Sequence, residues 1–352
     1  MKTVSGQDES QTDITEIGLR EKVTFLRQPE NYPFATGRVD VIETHMSWVF
    51  LTDDRVYKLK KPVRYSFLDF STLEARREDS EGEVQLNKRL AGDTYIRTIA
   101  LTREDNGVLM LGGEGKPVDW LVEMHRLPEE LTLDVAIRNS TVATDDIDRI
   151  SRILNDFFQQ QPSLPVTTDG YRTMFAQGLE ENHEILGRPE YGLPQDRLQR
   201  VIAAQSGFLQ SHGDMLEERA RDGRIIEGHG DLRPEHVFLK EQPVIIDCLE
   251  FNRDFRIIDP VDELAYLGLE CDRLGAAWIG ERLLQNYFDD TGDACPAALI
   301  RFYRLFRACL RAKIAVWHID DHRVREVEKW RQRAMDYLSI ADRDLAADRD
   351  PS

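Results

Sequence analysis

The sequence predicts an α+β fold in two lobes, a small antiparallel-sheet N-lobe carrying one helix and a larger helical C-lobe. Three observations carry this expectation. Runs of β-rich residues joined by acidic or glycine-rich turns dominate up to about residue 126. Beyond Pro128, apolar residues recur at steps of three and four. Between the two, near residues 124–130, lies a connector with no Gly/Ser linker, and there is no internal repeat. A length of 352 residues suits two domains or one large two-lobed unit.

Residues 1–13 are polar and expected to be disordered, and the first lobe is assigned to 14–126. It begins with an amphipathic segment bearing Ile14, Ile17, Leu19 and Val23, stopped by Pro29. Val39–Ile42 starts the strands; Ser47–Thr52 and Val56–Lys60 form a hairpin through Asp53-Asp54. Residues 72–91 read as a helix weakened near Gly82. Strands return at Ile96–Thr102, Val108–Leu111 and Trp120–Leu127, with Gly112–Lys116 as the last hairpin turn. That turn is no Walker motif, since it lacks the four-residue gap and the Ser/Thr, and Pro117 follows the lysine. The second lobe, 127–348, reads as helices at 131–138, 144–160, 169–186, 194–221, 260–274, 276–288, 296–319 and 322–347. A strand-and-loop insert interrupts them at 229–258.

Composition bounds the function. With 46 Lys+Arg against 64 Asp+Glu the formal charge is −18, which repels phosphate backbones and argues against a nucleic-acid partner. The 41% apolar content excludes wholesale disorder, and no run of 18 apolar residues points to a membrane span. The start, MKTVSGQDESQTDIT, has no apolar core of a secretory signal, so a cytoplasmic location is expected. The four cysteines form no CxxC pair and are expected to be small buried hydrophobes rather than disulfides or zinc ligands.

The chemistry concentrates in His229-Gly230-Asp231-Leu232-Arg233-Pro234-Glu235-His236, followed by Val237–Leu239 and, after Glu241-Gln242-Pro243, by Val244–Ile246 and Asp247. A tight hairpin of that spacing holds Asp231 and His236 at one end, with Asp247 just past its return strand. Two carboxylates and an imidazole then converge. One carboxylate can take a proton from a hydroxyl while the other holds a divalent ion against a phosphate. The same residues, with His229, can also be read as a metal-hydrolase cluster.

His-Gly-Asp-Leu, an apolar strand and an isolated Asp resemble the catalytic loop and metal-binding Asp of aminoglycoside phosphotransferases, which have a protein-kinase-like fold. The wording VIETHMSWVFLTDDRVYKLKKPV and FLDFSTLEARR resembles a bacterial branch, some of whose members are fused to a P-loop kinase module. The resemblance covers about residues 20–340. It implies ATP with Mg²⁺ or Mn²⁺ and a small-molecule hydroxyl as acceptor, although a related group on this fold transfers AMP. It makes 229–236 the catalytic loop, Asp231 the base, His229 the loop histidine and Asp247 the metal ligand. Lys58, ahead of Lys60 on the same strand face, matches the phosphate-pairing strand lysine. Glu83, ahead of Glu78, matches the helix glutamate that pairs with it. Met124–Leu127, with Met124 and His125, matches the segment whose backbone binds adenine.

At position 236 the family has an Asn that ligates a second metal. His236 opens three outcomes there: one-metal catalysis, a softer ion, or a nucleotide-binding protein that has lost turnover. Residues 43–47 also lack the glycines of a phosphate-covering loop. Asp259, before Pro260, reads as an N-cap, and the family places a loop-buttressing Asp there. On the 296–319 helix, Leu299, Tyr303, Phe306, Leu310, Ile314 and Trp317 form the apolar stripe. Arg304, Arg307 and Arg311 form another, suited to an anionic group on the acceptor or to pairing with Asp262, Glu263 or Glu270.

Overall fold

In the first of the two units into which the chain divides, Met1–Arg126 and Leu127–Ser352, period-two alternation builds a sheet. The computed structural model describes residues 17–65, 68–320 and 326–347. The disorder expected at 1–13, the contribution of Ile14, and the first turn of a helix from 322 therefore lie outside the described residues. Helix α1, Leu19–Leu26, buries Val23 and Leu26. Strands β1 (Asp40–Glu43), β2 (Ser47–Leu51) and β3 (Arg55–Lys60) follow. A short ribbon, β4 (Arg64–Tyr65) with β5 (Leu68–Asp69), leads to helix α2, Leu73–Ala91. Strands β6 (Tyr95–Arg103), β7 (Leu109–Leu111) and β8 (Lys116–His125) complete the unit.

Among the described residues, six of these strands form one sheet in the order β1-β2-β3-β8-β6-β7. Tyr57 and Leu59 of β3 join Leu26, Phe50, Leu101 and Leu121 in the core on one face, all fully buried. That burial, about 1.5–3 kcal/mol per large side chain, sets the register. Lys58 and Lys60 therefore fall on the opposite face, towards α2. Two sequence expectations are corrected. Helix α2 runs unbroken through Gly82, because a cost of about 1 kcal/mol for one glycine is outweighed by packing on β6 and β8. Gly112–Lys116 is not a hairpin turn, since β7 and β8 flank β6 on opposite sides. The link instead crosses the end of β6, where a Cβ on Gly115 would stand 2.3 Å from the Arg103 carbonyl oxygen. Only glycine permits that backbone-on-backbone approach.

In the second unit, helices α3 (Leu133–Arg138), α4 (Thr144–Gln160), α5 (Thr168–Leu186), α6 (Gln195–His212) and α7 (Asp214–Arg221) come first. The single helix expected over 194–221 is split at Gly213. There Arg172 of α5 donates to the Leu209 carbonyl at 2.9 Å and pairs with Glu217, capping α6 and turning the chain. Strand β9 (Ile226–Glu227) precedes the motif, and β10 (Val237–Phe238) and β11 (Val244–Ile245) form the expected hairpin, Val237 opposite Ile245. Strand β12 (Ile257–Ile258) returns to β9. Helices α8 (Pro260–Arg273), α9 (Ala277–Thr291), α10 (Ala297–Asp320) and α11 (Val327–Ala347) follow. Residues Pro260 to Asp272 of α8 are all buried, so it is the central helix of the unit. The rings of Tyr171, Phe175, Phe302, Tyr303 and Phe306 interlock α5 and α10 beside it.

Gly115→Ala is expected to destabilise the first unit by about 1–3 kcal/mol, the usual cost of overpacking. Denaturant unfolding measures it; an unchanged midpoint would show that the β7–β8 link can move aside.

Candidate active site

The first unit gathers two lysines and two carboxylates. From the shared face of β3, the Lys58 Nζ donates to Glu83 Oε1 at 2.9 Å and the Lys60 Nζ to Glu83 Oε2 at 2.6 Å. Asp79, one helical turn before Glu83 on α2, also pairs with Lys60. Glu83 and the Lys60 side chain are fully buried, whereas the Lys58 side chain keeps 16% of its exposure. Glu78 is exposed on another face of α2. Removing one member of such a buried set leaves an uncompensated charge, at about 3–5 kcal/mol. Met124 is buried near the end of β8, opposite Val56, and His125 is exposed and hydrogen-bonded to Arg55.

In the second unit the motif loop is held by its backbone. The buried Glu263 carboxylate, on α8, accepts the His229 N–H at 3.0 Å and the Gly230 N–H at 2.5 Å. Gly230 sits at φ +86°, a conformation that favours glycine. His229 is a clamp. Its Nε2 lies 2.9 Å from the Ile246 carbonyl oxygen, which can only accept, so Nε2 carries the proton. Its Nδ1 accepts the Asp231 backbone N–H at 3.3 Å. One neutral imidazole thus ties the Asp231 loop to the strand end that presents Asp247. Burial first, then the neighbouring His236, depress the His229 pKa to about 4.

Asp231 projects from this clamp with its side chain about a quarter exposed. Oδ1 accepts the Tyr266 hydroxyl at 2.9 Å, and Oδ2 accepts Arg233 Nε at 3.1 Å. Desolvation alone would raise its pKa, but Arg233, His236, Arg311 and the Tyr266 hydroxyl together hold it at about 2. It is a carboxylate at any physiological pH. His236 places Nδ1 2.9 Å from the Asp231 carbonyl oxygen and Nε2 2.8 Å from Arg233 Nη2. Asp247 stands at φ +62°, a left-handed conformation that Asp tolerates better than most residues. Its Oδ2 is 3.4 Å from His236 Nε2, and its side chain is 42% exposed. The structure therefore brings His229, Asp231, His236 and Asp247 together. An accessible carboxylate such as Asp247 suits a hard divalent ion. His236 fits less well, since a guanidinium faces the nitrogen that would ligate.

The arginine stripe of α10 is neutralised within the unit. Arg307 makes two bonds to Asp262, Arg311 pairs with Glu270, and Arg304 with Asp272 and Asp344. The pairing expected with Glu263 does not form, because that carboxylate holds the motif loop. Arg307 and Arg311 also lie over the Tyr266 ring, at 5.3 and 5.9 Å. They steady the hydroxyl that grips Asp231. Asp259 is fully buried; it caps α8 through the Val261 N–H and takes Arg219 and the Tyr303 hydroxyl. Three residues escaped the sequence reading as site members: Arg233, Tyr266 and Glu263. Arg233 lies inside the motif itself. Tyr266 and Glu263 are marked only by a polar spacing on α8 whose partners are remote in sequence. Cys248, Cys271 and Cys309 are buried, and no disulfide joins any of the four cysteines among the described residues. No helix among the described residues is long and apolar enough to cross a membrane.

No family model matches the chain. Uncharacterised proteins of Mycobacterium bovis and Mycobacterium tuberculosis are 32% identical over 279 residues, 78% of this chain and 54% of theirs. The chain thus spans about half the length of the curated relatives it matches. Among solved structures, the GDP complex of an aminoglycoside 2'-phosphotransferase superposes with TM-score 0.54 at 15% identity, covering 93% of this chain and all of that one. A choline/ethanolamine kinase family protein from Mesorhizobium loti gives 0.51 at 14%, over 94% and 98% of the two chains. A spectinomycin phosphotransferase bound to ADP and spectinomycin gives 0.51 at 10%, over 94% and 99%. The chain has the protein-kinase-like fold of the aminoglycoside phosphotransferases and choline kinases.

The depressed His229 pKa makes stability pH-dependent in a set direction. Between about 4 and the ordinary 6.5 the unfolded chain binds the extra proton, so stability falls as pH drops through that window. His229 is expected to contribute a loss of about 2 kcal/mol between pH 7 and 5. His229→Gln, which keeps one donor and one acceptor, should remove that share of the slope in unfolding titrations at the two pH values. An unchanged slope would show that His229 is not the group that titrates.

Proposed function

We propose that the chain is a phosphotransferase that moves a phosphoryl group from ATP to a hydroxyl of a small molecule. The observation that carries this reading is Asp231, an ionised, accessible carboxylate fixed on both oxygens and held through its backbone by His229 and Glu263. The Lys58–Glu83 pair supports it, because Lys58 keeps part of its side chain exposed and could turn its ammonium to phosphate oxygens, while Lys60 stays buried between two carboxylates. Solved structures of this fold hold GDP or ADP. Met124 and His125 would offer their backbone to the base.

In the reaction the acceptor oxygen forms a bond to the γ-phosphorus as the bond to the bridging oxygen of ADP breaks. The hydroxyl proton passes to Asp231 and from there to solvent. A pKa of about 2 makes Asp231 a weak base, which suits a loose transition state whose nucleophile loses its proton late. Its main task is alignment, held to a narrow range by Tyr266 and Arg233. Asp247 would hold a Mg²⁺ ion, whose charge offsets that of the nucleotide phosphates.

The metal-hydrolase reading needs imidazole lone pairs, and the donor set disfavours it. In His229, Nδ1 accepts a backbone N–H and Nε2 carries the proton given to Ile246.

Asp231→Asn is expected to keep nucleotide affinity and to lower kcat about 10²- to 10⁴-fold. Lys58→Ala is expected to weaken nucleotide binding at least tenfold, the loss of one charge-assisted contact. Calorimetry with a non-hydrolysable ATP analogue reads the binding. ADP release against a panel of sugars, aminoglycosides and hydroxylated metabolites reads the turnover, with the Asp231→Asn protein as blank. Full turnover in that variant would remove Asp231 from the role assigned to it.

A further inference from the structure

We infer that Arg233 stands where a second metal ion would be: its guanidinium fills the only ligating nitrogen that His236 could offer, and the chain works with a single divalent ion, at Asp247. This rests on the phosphotransferase reading above.

Local sequence builds the arrangement. Arg233 precedes a proline and is extended, at φ −134° and ψ 157°. Pro234 then starts a one-turn 3-10 segment, Pro234–His236, whose His236 N–H returns to the Arg233 carbonyl at 3.0 Å. That turn brings the side chains of 233 and 236 together.

The tautomer of His236 follows from its neighbours. The Asp231 carbonyl oxygen at Nδ1 can only accept, so Nδ1 bears the proton. The guanidinium at Nε2 can only donate, so the Nε2 lone pair is taken by Arg233 Nη2. A metal at Nε2 would have to displace a permanently charged group and break its Nε bond to Asp231. A dication and a guanidinium in one place also repel strongly in a partly buried site. Arg233 has a third nitrogen, Nη1, with no acceptor among the described residues, and its side chain is 23% exposed. Nη1 is placed to donate to an anionic oxygen brought up to Asp231, as a planar fork suits phosphate.

The test titrates Mn²⁺ into the full chain, labelled with ¹⁵N-histidine, in the presence of a non-hydrolysable ATP analogue. Electron paramagnetic resonance counts the bound ions and reads any coupling to the labelled imidazole. The wild-type protein is expected to bind one Mn²⁺ per chain with no ¹⁵N-histidine coupling. Arg233→Ala uncovers Nε2 beside Asp247 and is expected to bind a second ion that shows the coupling. Two ions or histidine coupling in the wild-type protein would overturn the inference, and so would absence of coupling in a folded Arg233→Ala protein. The wild-type measurement decides by itself if the variant does not fold. Nucleotide binding with two ions leaves the phosphotransferase reading standing, whereas failure to bind the analogue at any Mn²⁺ concentration removes that reading and this inference together.

Discussion

A single buried carboxylate organises the helical unit. Glu263 sits on the most buried helix of the unit and points at the N–H groups of His229 and Gly230. Desolvation pushes its pKa up, and the backbone donors oppose that. Without those donors an anion there would be costly, and without the anion two buried N–H groups would be unsatisfied. Loop and helix therefore specify each other. Everything carried by the loop, including Asp231 and the His229 clamp on the Ile246–Asp247 segment, inherits its position from that contact.

Around it, α8 works as a rail of polar side chains. Asp262, Tyr266 and Glu270 are spaced four apart, so they lie along one face. They meet Arg307, Asp231 and Arg311 respectively. The arginine stripe of α10 thus acts on Asp231 at one remove, by fixing Asp262, Glu270 and the Tyr266 ring. This explains how a protein of charge −18 assembles a cationic surrounding for one carboxylate. Most of its arginines near the site are matched to buried acids, and Arg233 alone among the motif residues brings a positive charge to Asp231 directly. In the other unit Lys58 and Lys60 are balanced in the same manner by Asp79 and Glu83.

Much of this was legible in the amino-acid order, for identifiable reasons. The hairpins β2–β3 and β10–β11 are local, with short turns between alternating runs, so their pairing follows from sequence alone. The β7–β8 link departs from the hairpin its sequence suggests, because a glycine-rich tetrapeptide can close a hairpin or cross a strand end. Sheet order, which depends on β6 pairing both neighbours, makes that choice. The break at Gly213 is set by Arg172, more than thirty residues upstream, and a glycine within a helical pattern does not announce it.

For the site, the residue types and spacing of HGDLRPEH followed by Asp247 determined that carboxylates and imidazoles would gather at one hairpin end. Alternation on β3 determined that Lys58 and Lys60 share a face. Which of these groups remain chemically available was decided only by the tertiary structure, because hydrogen-bond partners come from remote elements. His229 is a neutral clamp because Ile246 and the Asp231 amide flank it, and Glu83 rather than Glu78 meets the lysines because of how α2 packs on the sheet. A sequence displays donors and acceptors; folding decides which of them are already satisfied.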